Sequence, residues 1–188
     1  MKKSLGVKTV VTPLPVLIIG TYDENGVPNA MNVAWGGQCG SKHVALNLGT
    51  HKTTENMELK KAFTCAFATK KEVAAADYVG IVSGNKEPDK IKKAGWTATR
   101  GEKVDAPVFD QLPLTLECKI IEMEKTSLGE LRVVGEVVNT IADDSILNAD
   151  GKVDMDKLQP LAFDSAQNLY RVIGEEVGGA WRSGKQLK

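Results

Sequence analysis

The chain has 188 residues, of which 42% are hydrophobic, and we expect residues 1–188 to form one globular domain with a substantial buried core. Lysine plus arginine number 24, and aspartate plus glutamate also number 24, so the formal net charge is zero. Binding to a nucleic-acid backbone requires a surplus of basic residues. The balance of charge therefore argues against a nucleic-acid partner.

Cysteine usage and apolar runs predict the cellular compartment. Cys39, Cys65 and Cys118 are odd in number and far apart, and no C-x-x-C pair is present. This spacing predicts buried free thiols in a reducing compartment, not a zinc site or a disulfide framework. Apolar runs such as residues 16–19 are too short for a signal peptide or a membrane span. We expect a cytoplasmic protein with no membrane partner.

Hydrophobic patterning predicts strands separated by turns and short helices, with no internal repeat or linker. In chain order, the predicted strands are residues 15–21, 27–35, 43–48, 63–69, 114–123 and 131–142. The predicted short helices are residues 55–61, 71–79 and 89–94. Asn25-Gly26 is a strong hairpin turn signal, and residues 127–130 form a second hairpin. The tail from residue 153 onward reads as a helical turn followed by an irregular end. Six strands in hairpins predict an antiparallel barrel of the mostly β (α+β) class.

Several familiar catalytic motifs are absent from the sequence. It lacks G-x-G-x-x-G, G-x-x-x-x-G-K-[ST] and G-x-S-x-G. His43 and His51 are the two histidines, and neither has a partner at metal-ligand spacing. A histidine metal site and a Ser-His-Asp hydrolase are therefore poorly supported, and we assign no catalytic side chain and no metal ligand.

The segment Gly49-Thr50-His51-Lys52-Thr53-Thr54 precedes the first predicted helix. The start of a helix carries free N–H groups and a partial positive charge, which together favour a phosphate. The threonine hydroxyls and the lysine charge would add to this attraction. The alternative is an ordinary capped helix with a solvated lysine, which is the commoner use of such residues.

The segment from Asn29 to Gly37 is a strand in which small residues alternate with amides before a Gly-Gly pair. Such a strand can present its backbone N–H and C=O groups to a flat heterocycle, with Asn32 as a polar group and Trp35 as a stacking surface. The alternative is a half-buried barrel strand with Trp35 in the core.

Taken in order, these segments resemble the flavin reductase-like family of FMN-binding split barrels, which includes the flavoredoxins. The resemblance covers about residues 10 to 181. It depends on the following segments: residues 15–20, 25–29, 32–35, 52–56, 63–67, 83–85, 94–96, 114–118, 161–163 and 170–174.

The resemblance implies a homodimer of six-stranded antiparallel split β-barrels with short peripheral helices, holding FMN without a covalent link. The phosphate would lie on Lys52, Thr53 and Thr54, with Gly49 and Thr50 along the ribityl chain. The isoalloxazine would lie along Asn32, Val33, Ala34 and Trp35. Residues around Tyr170, Arg171 and Trp181 would close the pocket. Ser41-Lys42-His43 departs from the proline-containing turn of many relatives.

The same resemblance implies an oxidoreductase that takes electrons from NADH or NADPH and passes them through FMN to a flavin, a small molecule or a protein. A flavoredoxin-type electron carrier without NAD(P)H oxidase activity is the alternative. A third hypothesis is a binding barrel that uses the Thr53-Thr54 helix start for another phosphate ligand.

Overall fold

The computed structural model describes residues 1–187, and most of its regular structure is antiparallel β-sheet. The strands are β1 (Leu14–Pro15), β2 (Leu17–Tyr22), β3 (Pro28–Val33), β4 (Gly36–Gln38), β5 (His43–Leu48), β6 (Ala62–Phe67), β7 (Ala98–Arg100), β8 (Pro107–Phe109), β9 (Leu114–Lys125), β10 (Leu131–Ala142), β11 (Leu161–Asp164) and β12 (Leu169–Val172). The α-helices are α1 (Lys52–Lys60), α2 (Val73–Ile81), α3 (Lys90–Lys93) and α4 (Met155–Leu158). Short 3-10 helices occupy Lys70–Glu72, Asp144–Ile146 and Ser183–Leu187.

The main sheet has seven strands in the order β3-β2-β6-β9-β10-β5-β4. Its long β9–β10 pair changes register between Val134 and Gly135 and again between Val137 and Asn139. Such bulges bend the strand that carries them and increase its twist. The sheet therefore curls into an antiparallel half barrel, which confirms the predicted mostly β class and split-barrel architecture.

The six predicted strands are all present in the main sheet, but the structure contains more strands than predicted. β4 extends the sheet at its edge, β7 pairs with β8, and β1, β11 and β12 form a separate sheet. These additional strands have two to four residues, too few for a recognisable alternation of polar and apolar side chains. β11 and β12 lie in the tail, where the sequence indicated a helical turn and an irregular end.

The first hairpin turn is built around Asp23. Its Oδ1 accepts hydrogen bonds from the N–H groups of Asn25 and Val27 at 2.9 and 2.8 Å. Gly26 has a φ of 77°, a conformation that favours glycine, and its N–H donates to the Asp23 carbonyl. The predicted turn is confirmed, and it fixes the register of β2 against β3.

Apolar side chains fill both faces of the sheet. One cluster lies inside the half barrel and includes Leu17, Ile19, Val33, Phe63 and Cys65. The other cluster lies outside the sheet, beneath α2 and α3, and includes Val16, Ile18, Ala30, Val79 and Trp96. Adjacent residues of β2 alternate between these clusters because strand side chains point to opposite faces.

The three thiols have different environments. Cys65 and Cys118 are buried as predicted, and burial raises the pKa of Cys65 to about 12. Cys39 is exposed, in contrast to the expectation of a buried thiol, because it follows the edge strand β4. Burial also raises the pKa of Cys118. Neither buried thiol is suited to nucleophilic chemistry.

Candidate functional site

Two adjoining cavities lie against β3 and α2; the first also borders α1, and the second borders β11 and β12. The first, here called the α1 cavity, has a volume of about 240 Å³ and is lined in part by Asn29, His51, Lys52, Thr53, Ser83 and Lys90. The second, here called the aromatic cavity, has a volume of about 200 Å³ and is lined in part by Asn32, Ala34, Trp35, Asp77, Phe163 and Tyr170. Gly80 and Ile81 line both cavities, so the two are contiguous.

The wall between β3 and α1 is a buried polar contact. The Asn29 Nδ2 donates to Thr53 Oγ1 at 2.8 Å, and both residues are buried. Within the described residues, Asn29 Oδ1 is buried and has no hydrogen-bond partner. It lies beside Gly84, where a Cβ atom would overlap it. A buried oxygen of this kind at a cavity wall can accept a hydrogen bond from a bound water or ligand.

The α1 cavity is cationic. Lys52 Nζ forms salt bridges with Glu24 Oε2 at 3.8 Å and with Asp23 Oδ2 at 4.0 Å. Lys90 is 3% exposed, and burial lowers its pKa to about 8. No aspartate or glutamate is among the described residues that line this cavity. The lining of this cavity therefore carries two lysines, one of them paired with carboxylates outside the lining.

The aromatic cavity contains a chain of hydrogen bonds. Asn32 Nδ2 donates to the Ala76 carbonyl at 3.0 Å and to the Tyr170 hydroxyl at 3.4 Å. The Tyr170 hydroxyl donates to Asp77 Oδ1 at 2.8 Å. Burial and the Asp77 carboxylate raise the pKa of Tyr170 to about 12, so its hydroxyl stays protonated at neutral pH. This chain fixes the Asn32 amide at the cavity wall.

Close packing of α2 on β3 brings the two cavities together. A Cβ atom on Gly80 would lie 2.8 Å from the Cβ of Asn32, nearer than ordinary packing allows. Glycine at this position lets the helix approach the strand. Beside it, Ile81 and Trp35 have exposed fractions of 75% and 65%, so the aromatic cavity has an apolar, solvent-facing rim.

The structure brings together part of the predicted site. Asn32, Ala34 and Trp35 line the aromatic cavity, and Lys52 and Thr53 line the α1 cavity. These residues come from two segments separated in sequence, and the contact between Asn29 and Thr53 links the segments.

Other residues of the predicted site lie outside both cavities. The Val33 side chain packs in the barrel core at 3% exposure. Gly49 and Thr50 are exposed ahead of α1. The Thr54 hydroxyl accepts from the His51 N–H at 2.9 Å and donates to the His51 carbonyl at 2.8 Å. Because α1 begins at Lys52, three residues earlier than predicted, Thr54 falls in its first turn and stabilises the helix start.

Sequence reasoning assigned no binding role to Asn29, Lys90 or Asp77. Asn29 was part of the amide-rich strand that the sequence singled out. The family resemblance implied that Tyr170 closes the pocket, but it did not predict the hydrogen bond between Tyr170 and Asp77. No local pattern distinguishes Lys90 from the neighbouring Lys92 and Lys93.

Residues 1–187 contain neither a metal-ligand cluster nor a membrane-spanning helix. No group of three or more His, Cys, Asp or Glu residues is placed to hold a metal ion. No described helix is long and apolar enough to cross a membrane.

The curled half-barrel sheet with its peripheral helices defines a split-barrel protein. The model of the family described as "Flavin reductase like domain" matches residues 10–164, and the chain belongs to this family. No match was found among curated proteins.

Solved structures agree with this assignment. Flavoredoxin of Desulfovibrio vulgaris (Miyazaki F) is 36% identical with a TM-score of 0.93, covering 98% of this chain and 100% of that one. Flavoredoxin from Methanosarcina acetivorans is 26% identical with a TM-score of 0.89, covering 100% of both chains. An FMN-binding domain of a flavin reductases-like enzyme from Shewanella baltica OS155 shares the fold at 20% identity and a TM-score of 0.76, covering 88% of this chain and 89% of that one.

Proposed function

We propose that the protein binds one FMN per subunit without a covalent link and acts as a flavin-dependent oxidoreductase. The observation that carries this proposal is the pairing of two contiguous cavities with different chemistry. One cavity is cationic and polar, whereas the other has aromatic walls and a fixed amide. A flavin nucleotide has a phosphate at one end and a flat ring system at the other, and it matches this pairing.

The residues present fit FMN. In the α1 cavity, Lys52 supplies a charge and Thr53 a hydroxyl for the phosphate. Asn29 presents a partnerless buried oxygen, which suits a hydroxyl donor of the ribityl chain. In the aromatic cavity, Asn32 and Trp35 suit the polar edge and the face of the isoalloxazine.

The chain's own contribution is binding and positioning. FMN supplies the redox chemistry when it is bound, so no acid-base pair or nucleophile is required of the protein. Asn32 is oriented by Ala76 and Tyr170, and the Tyr170 hydroxyl keeps its proton on the side of Asp77. These contacts hold the site in one geometry before any ligand arrives, which lowers the entropic cost of binding.

We propose NADH or NADPH as the electron donor and a flavin, a small molecule or a protein as the acceptor. Membership of the flavin reductase-like family supports this reaction. The similarity to two flavoredoxins supports the alternative, an electron carrier without its own NAD(P)H oxidase activity.

We further propose a cytoplasmic homodimer. The support comes from the rim of the aromatic cavity, where Trp35 and Ile81 are exposed side by side. A second copy covering this rim would remove both side chains from water, and burial of apolar area is the dominant favourable term in association. Trp181, at 95% exposure in the described tail, is a further apolar group that a second copy would cover.

The test is an anaerobic absorption spectrum of the purified protein, recorded before and after adding FMN and then NADH. A flavin spectrum that bleaches with NADH supports the oxidoreductase. A flavin spectrum that persists with both NADH and NADPH supports the carrier. Failure to retain or take up FMN would contradict the proposal.

A further inference from the structure

Asp77 places a carboxylate in the wall of the aromatic cavity. It lies on α2, is half-buried, and its Oδ1 accepts a hydrogen bond from the Tyr170 hydroxyl at 2.8 Å. Within residues 1–187, no lysine, arginine or histidine forms a salt bridge with this carboxylate. A partly buried charge without an opposite charge beside it is costly, because part of its hydration is lost.

The hydrogen bond from Tyr170 does not by itself require a charge at position 77. An asparagine there would accept the same hydrogen bond through its amide oxygen, and it would cost less to bury. The Asp77 charge does act on its surroundings. Burial, and after it the hydrogen bond and charge of Asp77, raise the pKa of Tyr170 to about 12. The charge is therefore the feature of Asp77 that the hydrogen bond leaves unexplained.

The two cavities differ in the charges that line them. Lys52 and Lys90 line the α1 cavity, and no acidic side chain is among its described lining residues. Asp77 lines the aromatic cavity, whose described lining residues include no lysine, arginine or histidine. A ligand that spans both cavities therefore meets cations at one end and a carboxylate at the other.

We infer that Asp77 lowers the reduction potential of a flavin whose ring system lies in the aromatic cavity. This inference rests on the proposed function, because it takes this cavity to be the ring end of an FMN site. Oxidised FMN has an uncharged ring system, and uptake of two electrons and one proton gives that ring system one negative charge. A nearby carboxylate repels the reduced ring and has little effect on the uncharged one, so it favours the oxidised state. The reduced flavin is then a stronger reductant, which suits electron acceptors of low reduction potential.

The test is the midpoint potential of bound FMN at pH 7, measured by anaerobic titration with dithionite in the presence of reference dyes. Asp77→Asn removes the charge and keeps an acceptor for Tyr170, whereas Tyr170→Phe removes the hydrogen bond and keeps the charge. Asp77→Glu keeps both the charge and the acceptor. Glu130→Gln is the matched control, because it makes the same change in net charge at an exposed residue that lines neither cavity.

We expect Asp77→Asn to raise the midpoint potential by about 30 mV, which corresponds to about tenfold tighter binding of reduced relative to oxidised flavin. About tenfold is the order of magnitude for one charge acting across several ångströms of partly solvated protein. The affinity for oxidised FMN should change by less than about threefold, because its ring system is uncharged. Asp77→Glu and Glu130→Gln should remain within about 10 mV of the wild type, and Tyr170→Phe should leave the potential unchanged or lower it.

A midpoint potential in Asp77→Asn equal to or below that of the wild type would overturn the inference. A similar rise in Tyr170→Phe would also overturn it, because the hydrogen bond and not the charge would then set the potential. If Asp77→Asn does not fold, Asp77→Ala removes the charge with a residue that favours helices and provides the same comparison. Wild-type protein that binds no FMN would instead refute the proposed function, which is a separate outcome.

Discussion

Burial of Lys90 predicts that the flavin-free protein becomes more stable as the pH rises above neutrality. The pKa of this lysine is about 8 in the folded protein and 10.5 in a solvated chain. Between these values the unfolded chain binds more protons than the native protein, so the free energy of unfolding increases with pH. Below pH 8 both states are protonated, and the full cost of burying the charge is present.

The size of this increase follows from the difference between the two pKa values. A separation from about 8 to 10.5 corresponds to about 3.5 kcal/mol at most, at about 1.4 kcal/mol per pKa unit. The ammonium borders a cavity that opens to solvent, so screening reduces this value, and we expect about 1.5 kcal/mol. His51 and Lys52 are the other titratable side chains that line this cavity.

The assay is urea unfolding of the flavin-free wild type and of Lys90→Met, measured at intervals from pH 7 to pH 10.5. Methionine has a similar length and does not titrate, so subtracting the two proteins cancels other titrations, including those of Cys65 and Cys118. The free energy of unfolding of the wild type relative to Lys90→Met should rise by about 1.5 kcal/mol. A difference that stays flat or falls with pH would refute the reasoning, because it would mean that the charge of Lys90 is solvated.

Two further substitutions test the walls of the two cavities. Gly84→Ala places a methyl group where it overlaps Asn29 Oδ1, so FMN binding should weaken about tenfold in a fluorescence titration. Gly174→Ala, which meets no atom within 4 Å, is the control, and equal binding by both variants would contradict the assignment of Asn29. Tyr170→Phe removes the hydrogen bond to Asp77 and should cost about 1 kcal/mol in urea unfolding. An unchanged unfolding midpoint would show that this bond contributes nothing to stability.

The sequence alone was sufficient to predict those elements whose formation depends on neighbouring residues. The predicted bounds of β5 and β10, residues 43–48 and 131–142, coincide with the structure. The Asn25-Gly26 turn was also predictable, because a two-residue signal and its neighbouring Asp23 side chain contain all the interactions that form it. The alternation along a long strand and the residue preferences of a turn can both be recognised without knowing which distant residues they contact.

Tertiary structure decided which of the predicted site residues line a cavity. Asn32 and Val33 are neighbours on one strand and point to opposite faces, and the curl of the sheet makes the face of Val33 the barrel core and leaves Asn32 at a cavity. Thr53 and Thr54 differ in the same way, since the point at which α1 begins assigns one to the cavity and the other to the helix start.

The family and its fold class could therefore be predicted from the order of segments along the chain, whereas the site depended on packing between distant segments. Lys90 reaches the cavity of Lys52 because α2 and α3 pack against β3, and Tyr170 reaches Asn32 because β12 pairs with β11. Such contacts join residues that are far apart in sequence, and no periodic pattern in the sequence marks the residues that make them. Local sequence patterns specify the strands and turns, whereas tertiary packing determines which charged and amide side chains come into contact.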